Sequence, residues 1–226
     1  MTLLMVRHGQ ASAGSGDYDR LSERGWQQSR RLGAWLSATG HDFDAIVLGG
    51  MCRHRETYEA IAEGYAASNR PLPTPISDVD LDEFDHHAVF DGFAREHPEH
   101  PAVLGRQSGS LQALGAMIHA ALSSWAEDRI GDVPETWQAF GARVQQAGER
   151  MRGHGQKNAL VLTSGGVISR LAQGALGLSD RGAIDLNLSL RNSGLCEFHA
   201  RPYGFALGSW NALPHLHDAR DLWTYY

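Results

Sequence analysis

Leu3-Leu4-Met5-Val6-Arg7-His8-Gly9 is an unbroken apolar run that ends in a cation, an imidazole and a glycine. Such a run suits a strand buried on both faces, as in a parallel sheet. Ala45-Ile46-Val47-Leu48, closed by Gly49-Gly50, repeats the pattern, and so does Ala159-Leu160-Val161-Leu162, closed by Thr163-Ser164-Gly165-Gly166. Between the first two runs lies a predicted helix: Ser22 is its N-cap, Glu23 follows in the first turn, Leu32, Trp35 and Leu36 share one face, and Gly40 stops it. Strand, helix, strand predicts a three-layer α/β/α sandwich around a mostly parallel sheet.

Further elements fall into place around that core. Leu111, Leu114, Ile118, Leu122 and Trp125 recur at helical spacing. So do Trp137, Phe140, Val144, Ala147 and Met151, with Pro134 near the start. Val167 to Leu176 reads as a shorter helix closed by Gly177. Ser193–His199 and Phe205–Trp210 read as two strands of a hairpin around Arg201-Pro202-Tyr203-Gly204. Residues 84–108, rich in His, Pro and Gly, show no clear period and read as a loop insertion. With the helix that follows, they make a lid over about 84–135 on a single domain, 1–226.

The composition bounds the function. With 226 residues, 42% of them hydrophobic and 20% charged, the chain can bury one large core and is not a disordered polymer. No apolar run approaches the ~18 residues of a membrane span, and Met1–Val6, followed at once by Arg7-His8, is too short for a signal peptide. Cys52 and Cys196 cannot form a disulfide framework, so a reduced, cytoplasmic setting is expected. A net charge of −6 and a pI near 6.0 argue against nucleic acid or an anionic membrane as partner. A homodimer is compatible with all of this. No His-x-x-x-His pair and no Cys pair has metal-ligand spacing, so neither metal nor cofactor is expected.

In an open parallel sheet, ligands bind beyond the carboxyl ends of the strands. Arg7-His8-Gly9, Arg53-His54-Arg55 and Ser164-Gly165-Gly166 are thereby expected at one cleft. Arginine forks bind phosphate oxygens in pairs, and the free N–H groups of a helix start, here at Ser164-Gly165, form an anion site. The combination predicts a phosphoryl pocket.

These residues resemble the histidine phosphatase (phosphoglycerate mutase-like) superfamily. Leu4-Met5-Val6-Arg7-His8-Gly9-Gln10-Ala11-Ser12 resembles its Arg-His-Gly motif, and Leu21-Ser22-Glu23-Arg24-Gly25-Trp26-Gln27-Gln28-Ser29 looks like its next segment. Arg53-His54-Arg55-Glu56-Thr57 resembles its Arg-x-x-x-Thr helix start, Leu81-Asp82-Glu83-Phe84 its Leu-x-Glu motif, and Asn211 to Leu216, with His215, its C-terminal turn. The resemblance implies His8 as the nucleophile, Glu83 as general acid and base, and Arg7 and Arg53 as the phosphoryl clamp, with no metal. The substrate would be a small phosphorylated molecule.

One position departs from the family pattern. A second catalytic histidine is expected where this chain has Ser164. A serine there, contacting phosphate beside Gly165, predicts a slower phosphatase, since losing one preorganised donor costs ~10²–10³ in rate. His54, His86 and His87 are the candidate substitutes for the missing imidazole. A phosphate- or phosphoprotein-binding module and a phosphoglycerate mutase remain as alternatives.

Overall fold

The structure is a computed structural model that describes residues 1–12, 19–66, 70–105, 110–153 and 157–225. Six strands form one sheet: β1 (Thr2–Arg7), β2 (Ala45–Leu48), β3 (Ile76–Ser77), β4 (Asn158–Thr163), β5 (Leu195–Arg201) and β6 (Gly204–Ala212). Their spatial order is β3-β2-β4-β1-β5-β6. The first four run parallel, β5 is antiparallel to β1, and β6 returns antiparallel to β5. β4 therefore lies between β1 and β2, with Val6 opposite Leu162 and Leu48 opposite the same residue from the other side.

Alternate residues of the central strands feed two apolar layers, as the two-residue side-chain period requires. Leu3, Met5, Ala159 and Val161 join one core; Val6, Leu160 and Leu162 join the other. The second face is covered by α1 (Glu23–Ala38) and α2 (Cys52–Ala66), through Leu32, Leu36, Ile61 and Tyr65. The first face carries α5 (Leu111–Ala126), α6 (Trp137–Gly153) and α7 (Gly165–Leu176). Trp125, Phe140 and Leu171 are among the side chains it buries. Ser22 caps α1 by accepting from the Gly25 N–H at 3.1 Å, and Gly40 leaves the helix with φ +76°.

Residues 84–108 differ from the expected loop. They hold α3 (His86–Glu96) and α4 (Pro101–Gly105), and residues 106–109 lie outside the described ones. α3 is started by Asp85, whose carboxylate accepts from the Ala88 N–H at 3.0 Å. Its apolar stripe is short: Val89 and Phe93, four apart, enter the main core. Two adjacent histidines and a glycine interrupt the rest of the helix, which hides its period in the sequence. α8 (Asp180–Ser189) follows α7 and was not expected either.

The loop after β1 packs unusually close to α1. A Cβ on Gly9 would lie 2.5 Å from the Gly25 carbonyl oxygen, closer than any side chain can come to backbone. The glycine of Arg-His-Gly is thus a steric requirement of bringing His8 up against the start of α1.

Candidate active site

Beyond the carboxyl ends of β1 and β4, one cleft is lined by Arg7, His8, Arg53 and Glu83, together with Phe84, His86, Phe90, Ile118, Leu122, Asn187, Leu188 and Tyr225. Arg7 ends β1 and donates to the Leu190 carbonyl. His8 follows it and is 5% exposed. Its Nδ1–H donates to the Gly9 carbonyl at 2.7 Å, because a carbonyl can only accept. That bond leaves the lone pair on Nε2. Burial, then the charges of Arg53 and Arg7, hold the His8 pKa well below the usual histidine value, so the ring is neutral.

Arg53 comes from the first turn of α2 and is almost fully buried, paired with Asp19 at 2.9 Å. Thr57, one turn on, accepts from the Gly9 N–H at 3.1 Å and donates to the Arg53 carbonyl at 2.7 Å. The Arg-x-x-x-Thr spacing therefore ties the arginine helix to the histidine loop. From behind, Ser193 N–H donates to the Arg7 and His8 carbonyls at 3.0 and 3.2 Å. The Ser193 hydroxyl is 2.9 Å from His215 Nε2, so the C-terminal turn supports the same loop.

Glu83 reaches the cleft from the turn before α3. Arg143 holds that turn by donating to the Asp80 and Asp82 carbonyls at 2.8 and 2.7 Å, and Thr163 donates to the Leu81 carbonyl. Glu83 Oε2 accepts from the Gly166 N–H at 3.0 Å. Burial raises its pKa; that hydrogen bond and the two arginines oppose the shift. The start of α7 thus holds the carboxyl group as well as facing the anion site expected there.

Ser164 and Gly165 sit differently from the four charged and imidazole residues. Gly165 lies beside Arg7 and Asn187, where a Cβ would come 2.6 Å from Asn187 Oδ1. Ser164 is fully buried and makes no capping bond to its helix; its hydroxyl is 2.8 Å from His54 Nε2. His54 is itself fully buried, and its ring centre lies 5.8 Å from that of His8. Burial and Arg53 lower its pKa to about 3. Of the three candidate substitutes, His54 is the one joined to Ser164. His86 lines the cleft wall, its pKa lowered to about 4 chiefly by burial. His87 lines the outer mouth with Asp19 and Asp85. Asn187, Leu188 and Tyr225 were not foreseen, since neither α8 nor the C-terminal segment carries a motif that marks them.

The sequence model of the histidine phosphatase superfamily (branch 1) matches residues 3–213. The chain belongs to that superfamily. A Rhizobium etli 2,3-bisphosphoglycerate-dependent phosphoglycerate mutase is 34% identical over 92 residues, 38% of this chain and 42% of that protein, so the match spans about two fifths of the relative. Among solved structures, Bacillus anthracis phosphoglycerate mutase superposes with a TM-score of 0.65 at 18% identity, covering 96% of this chain and 95% of that one. The alpha-ribazole phosphatase of Shigella flexneri gives 0.63 at 19%, covering 94% and 96%. The mycobacterial glucosyl-3-phosphoglycerate phosphatase gives 0.63 at 19%, covering 93% and 98%. At such identities these likenesses establish the fold, a mixed six-stranded sheet wrapped by helices. Among the described residues, no helix is long and apolar enough to cross a membrane.

Proposed function

We propose that this protein hydrolyses phosphate monoesters without a metal ion, through a phosphohistidine on His8. The observation that carries the reading is the state of that ring. It is neutral, with its proton fixed on Nδ1 by the Gly9 carbonyl and its Nε2 lone pair left for the cleft between two arginines. In the first step Nε2 attacks phosphorus, an N–P bond forms as the ester P–O bond breaks, and Glu83 gives its proton to the departing alkoxide. In the second, the Glu83 carboxylate takes a proton from water as the water oxygen attacks phosphorus. The N–P bond breaks, inorganic phosphate leaves, and Glu83 is protonated again. Arg7 and Arg53 neutralise the phosphoryl oxygens throughout. Gly165 contributes the positive end of α7, and Ser164 acts from behind through its bond to His54.

The Rhizobium match favours a second reading, a phosphoglycerate mutase, which would share the first step and return the phosphoryl group to substrate. Hydrolysis of p-nitrophenyl phosphate, measured with EDTA present and no bisphosphate primer, separates the two. The hydrolase reading expects steady turnover that falls about 10³-fold or more in His8→Ala. Full activity in His8→Ala, or loss of activity on chelation, would refute it. Turnover that requires a bisphosphate primer would establish the mutase. Phosphate binding with no turnover of any ester would make the chain a binding module.

A further inference from the structure

We infer that the group esterified to phosphate in the substrate is an uncharged, largely apolar alcohol or phenol, seated among Phe84, Phe90, Ile118, Leu122 and Leu188. This rests on the hydrolase reading above and names the substrate class of the same site. The phosphoryl end is fixed by Arg7, His8 and Arg53. Glu83 protonates the ester oxygen, so the leaving group must extend from Glu83 outward. The first wall it meets is the next residue, Phe84, whose ring is backed by Trp125 at 4.7 Å and Phe140 at 5.4 Å between ring centres. Phe90 of α3 continues that wall, Ile118 and Leu122 face it from successive turns of α5, and Leu188 closes it from α8.

The charges around the cleft argue for the same occupant. Among the described residues the lining cations are Arg7 and Arg53, both at the phosphoryl end. His86 is uncharged at neutral pH. Arg191, the nearest further arginine in sequence to the α8 wall, stacks on Trp223 and Tyr225 instead of lining the cleft. Past His86 the cleft continues between Asp19 and Asp85. A leaving group with a carboxylate or second phosphate would lose water against apolar rings on one side and, on the other, find Asp85 and an Asp19 already paired with Arg53, with no further cation to receive it among the described lining residues. A polyhydroxyl group would set donors against the carbon of those five side chains, Asn187, His86 and Tyr225 being the polar side chains beyond the phosphoryl end of the same cleft. An aryl or alkyl group set against the apolar side chains gains the burial of its surface.

The test is steady-state kinetics on monoesters whose leaving groups are all unactivated alcohols: benzyl phosphate, O-phosphoserine, 3-phosphoglycerate and glycerol 1-phosphate. The expected kcat/KM for benzyl phosphate exceeds each of the others about tenfold or more, the scale of one well-filled apolar pocket. Phe90→Ala and Leu188→Ala each reduce the ratio of benzyl to glycerol phosphate, from opposite walls, so one poorly folding variant does not remove the test. Preference for phosphoserine or 3-phosphoglycerate overturns the inference and leaves the hydrolase intact. A ratio unchanged in both variants overturns the placement of the subsite. No turnover of any ester overturns the hydrolase reading, and this inference falls with it.

Discussion

Replacing Ser164 by histidine tests how this pocket is built. Reasoning from motifs alone, a histidine at 164 supplies a charge-assisted bond to phosphate and raises kcat about tenfold, the equivalent of ~1.4 kcal/mol. The structure reverses that expectation. The Ser164 hydroxyl is 2.8 Å from His54 Nε2, and neither residue has exposed surface. A second imidazole would have to enter space that the first already fills. Overpacking of that kind costs about 1–3 kcal/mol, which for a domain of this size lowers Tm by roughly 2–4 °C per kcal/mol. Because His54 adjoins Arg53 in the first turn of α2, pushing one ring aside also moves the clamp. Ser164→His should therefore lower both Tm and kcat/KM. Ser164→Ala leaves His54 Nε2 unpaired, at about 1–3 kcal/mol. The decisive variant is His54→Ala combined with Ser164→His, which returns one imidazole to the vacated space. It should be more stable than the two single changes added together by about 1 kcal/mol or more, the range of coupling between touching residues. Thermal denaturation and p-nitrophenyl phosphate kinetics on the four proteins decide it. A faster, undestabilised Ser164→His, or additive single effects, would refute the reasoning.

Three further outcomes follow from the site. Glu83→Gln should suppress hydrolysis of benzyl phosphate far more than that of p-nitrophenyl phosphate, whose leaving group needs no proton; equal losses would remove Glu83 from the acid role. Burial raises the Glu83 pKa, so in the folded state its protonated form contributes stability at low pH, and that contribution is lost as pH rises through the raised value. The same variant should accordingly gain stability relative to the parent at pH 7 compared with pH 4, as urea unfolding at both pH values would show. His215→Ala removes the partner of Ser193 beneath the His8 loop and should cost about 1–3 kcal/mol, with a fall in kcat that the lower Tm alone does not explain. A parent-like kcat would make His215 a packing residue only.

Local signals carried most of the architecture. Three apolar tetrapeptides fixed the central strands, because strands buried on both faces need no alternation to be legible. Ser22 and Gly40 bracketed α1 by cap chemistry that acts within a few residues. α3 escaped because its stripe, Val89 and Phe93 with the half-buried Phe90 and Ala94 beside them, spans little more than one turn, with His86-His87 and Gly92 around it. The site divided in the same manner. Arg7, His8, Arg53 and Glu83 each stand at an element end, and all four line one cleft. The pairing of His54 with Ser164 spans 110 residues and depends on how α2 lies against the end of β4. A single sequence contains no record of that contact, so three histidines stood equal until geometry chose among them.

The place of β4 in the sheet also sets an order of events during synthesis. β1 and β2 emerge first but are not neighbours in the sheet; the strand that pairs with both, Asn158–Thr163, follows more than a hundred residues later for either one. A nascent chain that stops short of Asn158 holds β1 and β2 with open edges where β4 belongs, the kind of edge that recruits other strands. β4 sets Thr163 opposite Arg7, and the Thr163 hydroxyl donates to the Leu81 carbonyl of the Glu83 turn. The cleft needs that strand and also the segments after it, the Gly166 N–H on Glu83 and the Ser193 N–H beneath the His8 loop, so a ribosome-bound fragment should gain phosphate binding late, once residues beyond Ser193 have emerged.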